Sequence, residues 1–289
     1  MHKKNEILNI VLNFAKSDEN IRAVLLEGSR ANPNGKIDKL SDYDIAFVTH
    51  SNKPYLDKYW FDAFAAKFGE VAILQTPDNP KLFDNAHNPE QHFAYLTLFN
   101  SGLRMDMTFE TMDFLNTINL DSATVVLLDK DNKFSNIVSS DSDFLINPPT
   151  KNKFKACQNE FWWCLQNVAK GIVRDELTYA MRMFDIVHVE LEKMVKWYIG
   201  LHSDFKVSTG TFGRYFKDFL PENFYKMYEK TYSDSNYENL WNAVFKACEL
   251  FRILAKEIAL KLSFTYNQSE DNGVTKYLKI LRSKSNAEN

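Results

Sequence analysis

The chain has 289 residues, of which 45% are hydrophobic and 25% are charged. A chain of this length exceeds the size at which one core usually stops growing, so we expect two domains. The net charge of −3 gives no basic excess that would indicate a nucleic-acid partner, and no apolar run is long enough to indicate a membrane span. Three cysteines without a C-x-x-C pair indicate reduced thiols in a cytoplasmic protein rather than a disulfide framework or a cysteine-based zinc site.

The first half of the chain mixes helical and strand patterns. Residues 6–16 carry apolar side chains at helical spacing, and residues 56–68 and 111–119 also look helical. Asn100-Ser101-Gly102 is a plausible hairpin turn. The predicted strands are Ile21–Glu27, Asp44–Thr49, Val71–Gln75, Tyr95–Phe99, Leu103–Phe109 and Val125–Leu128. We therefore expect a mixed sheet of about five strands with helices.

The second half has a different character. After Pro148-Pro149, helical periodicity runs from Lys153 to about Lys261, with breaks at Gly171, around residues 200–213 and at Pro221. We therefore predict an α+β protein, with a mixed sheet and helices in residues 1–147 and an all-α helical bundle in residues 148–289.

Three aspartates stand out in the predicted strands. Asp42 and Asp44 are two residues apart, so on a strand they point to one side, where they repel each other unless a cation lies between them. Asp106 lies mid-strand between methionines, where a lone charge is costly. Three carboxylates on neighbouring strands make an oxygen site suited to Mg²⁺ and to substrate phosphates. Gly28 and Ser29 precede the pair, and a glycine followed by a hydroxyl suits phosphate oxygens.

Structural interpretations of these residues stay open at this stage. A D-x-D at the start of a strand is also typical of a solvated turn or a helix cap, and a Gly-Ser pair is common in turns. An exposed edge strand would explain Asp106 without a metal.

Residues 154–174 predict an amphipathic helix with two distinct faces. Its apolar face comprises Phe154, Cys157, Phe161, Leu165, Val168 and Ile172. The opposite stripe comprises Glu160, Trp163, Asn167, Lys170 and Arg174. That stripe fits either a solvated face or a substrate surface with cations for a triphosphate, an aromatic side chain for a ring and a carboxylate for an acceptor. Arg214 and Lys217 are further candidates for phosphate contact.

The order of G-S, D-x-D and a later strand aspartate resembles the nucleotidyltransferase superfamily that includes DNA polymerase β. The stretches LEGSRANPN, SDYDIAFV, VVLLDKDN, NEFWW, AKGIVR, NYENLW, ELFR and VTKY are similar to the bacterial aminoglycoside 6-adenylyltransferases, also called streptomycin adenylyltransferases. The resemblance implies a polymerase β-like fold and antibiotic resistance through transfer of AMP from Mg-ATP to an aminoglycoside hydroxyl, with release of pyrophosphate. By motif position it implies that Asp42, Asp44 and Asp106 hold Mg²⁺. It also implies that Gly28, Ser29 and Arg30 meet the nucleotide phosphates, with AKGIVR near the nucleotide.

The chain departs from the family pattern at three places. Arg182 stands where an acidic residue is expected in the acceptor pocket, and His92 replaces an aromatic residue near the presumed site. A Gly-Lys pair becomes Gly210-Thr211. Because Arg182 reverses the local field, the acceptor could be another hydroxylated metabolite or a protein side chain. A non-catalytic nucleotide-binding module is a third hypothesis. Either Asp106 or Glu160 could serve as the general base.

Overall fold

The computed structural model describes residues 4–84 and 87–285. The chain divides into two compact units, Met1–Asp143 and Phe144–Asn289, and the boundary predicted after residue 147 lies close to this division. In the described part of the chain, no helix combines the length and the apolar character that a membrane crossing requires.

The first unit is built on a six-stranded sheet of order β3-β4-β5-β2-β1-β6. Strands β2 and β5 pair in parallel, and every other neighbouring pair is antiparallel. The strands are β1 (Ile21–Glu27), β2 (Tyr43–Thr49), β3 (Val71–Gln75), β4 (His92–Phe99), β5 (Arg104–Thr111) and β6 (Val125–Asp129). The helices of this unit are α1 (Lys4–Ser17), α2 (Gly28–Ala31), α3 (Lys58–Ala65) and α4 (Met112–Leu115).

The two faces of this sheet are covered differently. One face packs against α1 and α3, where the rings of Phe14 and Phe64 are 4.7 Å apart and Phe47 contacts Phe14 at 5.8 Å. The other face has a much smaller apolar cluster, formed around Ala46, Val48 and other small residues. Because alternate residues of a strand share a face, polar side chains in register with this cluster reach the thinly covered side of the sheet.

Most of the predicted elements of the first unit are confirmed. The strand predicted over Ile21–Glu27 has those bounds, and the predicted hairpin turn joins β4 to β5, with Gly102 at φ +81°. The sheet has one strand more than the roughly five predicted. The prediction of a helix over 111–119 was wrong in extent, because only Met112–Leu115 is helical.

The second unit is helical, as predicted. Its helices are α5 (Lys151–Val173), α6 (Leu177–His202), α7 (Phe216–Phe219), α8 (Glu222–Glu229), α9 (Tyr237–Leu262) and α10 (Gln268–Ser285). The break predicted at Gly171 was wrong, because α5 continues to Val173. Gly171 instead allows close packing on α6, since a Cβ there would lie 2.9 Å from the Ala180 Cβ.

A buried ion pair joins α9 to α10. Arg252 donates two hydrogen bonds to Asp271, which is 1% exposed, and Tyr266 donates a third to the same carboxylate. Each helix carries a stretch on which the family resemblance rests, ELFR on α9 and VTKY on α10. The geometry gives Arg252 a structural role, because its guanidinium holds the two helices together.

Candidate active site

Three carboxylates lie side by side across adjacent strands of the first unit. Asp44 on β2 is the register partner of Asp106 on β5, and Glu27 at the end of β1 is the register partner of Asp44. Register partners share a face of the sheet, and neighbouring strands are about 4.8 Å apart. The parallel pairing of β2 with β5 therefore places Asp44 next to Asp106, as the sequence analysis expected.

Asp42 joins this group through Arg104. The guanidinium of Arg104 donates two hydrogen bonds to Asp106, at 3.1 and 2.7 Å, and its Nη1 lies 3.4 Å from the Asp42 Oδ2. One cation thus links the D-x-D stretch to β5. We refer to Asp42, Asp44 and Asp106 as the aspartate cluster.

Burial and neighbouring carboxylates raise the pKa of two acidic side chains in this part of the sheet. Burial raises the pKa of Asp44 to about 6, and the neighbouring Asp106 and Asp42 raise it further against the opposing effect of Arg104. Burial also raises the pKa of Glu27 to about 7, and among the charged neighbours Glu110 contributes most to this rise. Such shifts mark a place where an additional cation would be favourable.

The Gly28-Ser29 stretch lies directly against the aspartate cluster. Gly28 has φ +63°, and a Cβ at this position would lie 2.3 Å from the Asp44 Oδ2. Only a glycine fits both the backbone conformation and the space. Ser29 follows in the short helix α2 and is half-buried.

Arg30 organises the chain that leads into the D-x-D stretch. Its guanidinium donates hydrogen bonds to the carbonyl oxygens of Ser41 and Asp42, both at 2.8 Å, and stacks on the Tyr43 ring at 3.9 Å. The structure therefore gives Arg30 a positioning role, and its predicted contact with nucleotide phosphates stays a prediction. A pocket of about 230 Å³ beside it is also lined by Arg104.

The predicted substrate stripe lies on α5 in the second unit. The apolar face of this helix is buried as predicted, whereas Trp163 is 63% exposed and Glu160 and Arg174 are also exposed. Lys170 is half-buried near the C-terminal end of the helix. These positions fit the predicted surface of cations, an aromatic ring and a carboxylate, and the roles proposed for the four residues stay predictions.

The other predicted substrate and phosphate residues are dispersed over the two units. Arg182 on α6 has an 81% exposed side chain and lies 3.8 Å from Asp185. Arg214 is exposed, with its guanidinium 5.4 Å from the ring centre of Tyr215. His92 lies in the first unit at the start of β4, where it is half-buried. None of these positions tests the role that the sequence analysis assigned.

Two residues of the site were missed by the sequence analysis. Glu27 ends β1 immediately before the glycine, and Arg104 precedes Asp106 by two residues on the same face. Strand alternation could have identified Arg104, because residues two apart on a strand are neighbours. Glu27 required knowledge that β1 pairs with β2.

The oxygen-rich aspartate cluster fits a hard divalent cation. Mg²⁺ prefers carboxylate oxygens and shares its remaining positions with water and phosphates. Burial and the charges of Asp106 and Asp42 raise the pKa of Asp44, and a bound cation would favour its ionised form. The donor set therefore fits Mg²⁺ better than a softer metal.

Comparisons with known proteins identify the family of the chain. The family model described as streptomycin adenylyltransferase matches residues 1–281. An aminoglycoside 6-adenylyltransferase of Campylobacter jejuni is 36% identical over 92% of this chain and 91% of its own length. Proteins of the same name from Staphylococcus aureus and Bacillus subtilis (strain 168) are 32% and 33% identical, covering 94% and 96% of this chain and 96% and 97% of their own lengths. The chain therefore belongs to the streptomycin adenylyltransferase family and is a nucleotidyltransferase enzyme.

Proposed function

We propose that the protein transfers AMP from Mg-ATP to a hydroxyl group of a streptomycin-like aminoglycoside and releases pyrophosphate. One observation carries this proposal: the pairing of β2 with β5 brings Asp44 beside Asp106, and Arg104 links Asp106 to Asp42. Relatives of similar length that bear the name aminoglycoside 6-adenylyltransferase support the class of acceptor.

In this proposal Asp42, Asp44 and Asp106 hold Mg²⁺. When bound, the metal supplies charge neutralisation and orientation for the phosphate oxygens of ATP. Gly28 allows the backbone to approach the Asp44 carboxylate closely, because a Cβ at this position would collide with it. Arg30 keeps the preceding loop in place through its two bonds to carbonyl oxygens.

Arg104 has two successive roles in the proposal. Its guanidinium contacts Asp42 and Asp106, and its hydrogen bonds to Asp106 raise the pKa of Arg104. When Arg104 turns away, it frees oxygen lone pairs of both carboxylates for a divalent ion. Its side chain is 49% exposed, so it is able to turn towards solvent and then offset the charge of the departing pyrophosphate.

Proton transfer is assigned to Asp106. The acceptor oxygen attacks the α-phosphorus, the bond between that phosphorus and the pyrophosphate oxygen breaks, and the hydroxyl proton passes to the Asp106 carboxylate. No covalent enzyme intermediate is needed, because positioning and charge neutralisation suffice for this displacement. Glu160 is the alternative base from the sequence analysis.

A groove in the second unit suits a cationic acceptor. It has a volume of about 670 Å³, and its lining includes Glu160, Trp197 and Glu190, together with Lys153 and Lys193. Lys193 donates a hydrogen bond to Glu190 at 2.6 Å, so Glu160 is the carboxylate that we assign to an amino group of the acceptor, with Trp197 beside the sugar rings. Arg182, which departs from the family pattern, is highly exposed and close to Asp185, so solvent and that carboxylate weaken its field.

The test is transfer of labelled AMP from ATP with a panel of acceptors. We expect magnesium-dependent labelling of streptomycin with equimolar pyrophosphate, no labelling by Asp106→Asn, and full activity in Asp113→Asn, which removes an exposed carboxylate of the same unit. Glu160→Gln should raise the KM for the acceptor more than it lowers kcat. If streptomycin stayed unlabelled while another acceptor was labelled, the proposed acceptor would be wrong. If the protein bound ATP without releasing pyrophosphate, the proposal of an enzymatic function would be wrong.

A further inference from the structure

A second group of potential metal ligands lies on the first unit, outside the aspartate cluster. Asp78, His87 and His92 each offer one ligand atom, and these three atoms lie within 4.8 Å of one another. Asp78 is buried in the segment between β3 and β4, His87 is exposed in the same segment, and His92 begins β4. The three residues therefore gather around the start of one strand.

A hydrogen bond to a carboxylate orients the His92 ring. His92 and Glu110 are register partners on β4 and β5, and the His92 Nδ1 lies 3.0 Å from the Glu110 Oε1. In the tautomer that donates from Nδ1, the Nε2 carries a lone pair. A carboxylate behind a histidine is the arrangement that commonly orients a metal-binding imidazole.

The opposite nitrogen of His92 faces a second carboxylate. Its Nε2 lies 3.5 Å from the Asp78 Oδ2, which also accepts a hydrogen bond from the Ala94 amide at 3.0 Å. A separation of 3.5 Å is long for a direct hydrogen bond, but it is close to the distance of about 3.3 Å between two ligands of one tetrahedral zinc ion.

Glu110 supplies an independent observation. Its side chain is only 8% exposed, and its Oε2 has no hydrogen-bond partner among the residues that the structure describes. Burial of an unpaired carboxylate oxygen is costly. The Glu110 Oε2 therefore needs a positive charge or a hydrogen-bond donor nearby to compensate for its burial. A divalent ion bound to the adjacent imidazole would provide that charge.

We infer that Asp78, His87 and His92 form a binding site for a zinc ion, with Glu110 orienting His92 from outside the ligand set. Two imidazoles and one carboxylate favour zinc or a similar late transition metal over Mg²⁺. The ring of Phe114 packs on both imidazoles, with centroid distances of 4.8 and 5.7 Å, and gives the site an apolar wall. The ion would tie the segment before β4 to the sheet.

This zinc site is separate from the aspartate cluster. Glu110 follows Asp106 by four residues on β5, which corresponds to about 13 Å along the strand. The ligand chemistry also differs, because the aspartate cluster offers only oxygen. Glu27 senses the charges of both Glu110 and Asp44, so the two groups are neighbours, and variants of their separate ligands distinguish them.

The test uses the full chain stripped of metal and titrated with Zn²⁺ by calorimetry, with excess Mg²⁺ present to occupy the aspartate cluster. We expect one equivalent to bind, with a rise in the unfolding temperature, and Co²⁺ to give the intense visible absorption of a four-coordinate ion. His87→Ala should weaken zinc binding roughly 100-fold, and Glu110→Gln about 10-fold. His87 is exposed, so its replacement should leave the fold intact.

Two controls decide the location of the ion. His50→Ala removes an exposed histidine of the same unit and should bind zinc like the parent protein, and Asp106→Asn should also retain binding. Binding that is unchanged in His87→Ala, or that is lost in Asp106→Asn instead, would overturn the inference. Absence of zinc binding to the parent protein would overturn it too.

Discussion

Replacement of Asp44 by asparagine should stabilise the protein while it abolishes AMP transfer. Asparagine keeps the shape of the side chain but removes one negative charge from between Asp42 and Asp106. Residues that hold a metal often lower stability in the metal-free state, because their mutual repulsion is offset only when the ion binds.

The magnitude follows from the pKa of Asp44, which rises from 3.8 to about 6. This difference corresponds to about 3 kcal/mol against the ionised form, and partial exposure of the side chain reduces it to about 1–2 kcal/mol. Because the folded protein binds this proton more tightly than the unfolded chain, the stability that Asp44 contributes is fully present below about pH 4 and is lost as pH rises through about 6. Asp44→Asn should therefore raise the unfolding temperature by roughly 2–8 °C at pH 8.

The assay is thermal unfolding of both proteins with a chelator present, at several pH values. We expect the advantage of Asp44→Asn to shrink to roughly half near pH 5, where Asp44 is mostly protonated in the folded parent protein but mostly ionised in the unfolded chain. Added Mg²⁺ should stabilise the parent protein more than the variant, because binding to the folded state shifts the equilibrium. Asp113→Asn serves as the control, since it removes an exposed charge of the same unit.

One pattern of results would refute this reasoning. If Asp44→Asn were equal to or less stable than the parent protein at pH 8 without metal, the carboxylates of the aspartate cluster would not repel one another enough to need a cation. An equal gain in Asp113→Asn would attribute the effect to net charge instead of to the site.

Three further predictions concern other contacts. Gly28→Ala should lower the free energy of unfolding by about 1–3 kcal/mol and abolish most of the transfer activity, because its Cβ has no room. The control Gly102→Ala, whose Cβ has nothing within 4 Å, should lower it by about 1 kcal/mol and keep activity. An active Gly28→Ala would contradict the close approach of Gly28 to Asp44. Arg104→Met should tighten Mg²⁺ binding to the nucleotide-free protein several-fold by calorimetry, because it removes a competing cation, and weaker binding would contradict that role. Asp271→Asn should destabilise the helical unit by about 2–4 kcal/mol in urea titrations, since Arg252 loses its buried partner, and an unchanged midpoint would contradict the structural role.

The strands of the site could be predicted from sequence because their patterns are local. Continuous apolar runs identified β1 and β2, and the turn residues before Leu103 identified the hairpin of β4 and β5. The position of Asp106 was informative because its apolar neighbours made a solvated loop a poor explanation. These inferences needed no knowledge of which strands pair.

The pairing itself could not be derived from local patterns. Strand order β5-β2-β1 is what makes Glu27 and Asp106 the two neighbours of Asp44, and it depends on contacts between segments far apart in the chain. Gly171 illustrates the same limit in the second unit. A glycine in a helical pattern predicts a break, but here its small size allows close packing against Ala180 of α6.

Strand alternation on β5 explains why one end of the sheet was predicted and the other was not. One face of β5 carries Asp106, Thr108 and Glu110. Their register partners on β2 are Asp44, Ala46 and Val48, respectively. The small apolar residues in the middle separate a polar group at each end. The strand predicted from sequence ends at Phe109 and a helix is predicted from 111, so these predictions leave Glu110 outside this face. Once β5 is extended to Thr111, the same two-residue period that selects Asp106 also selects Glu110 and, through its pairing, His92.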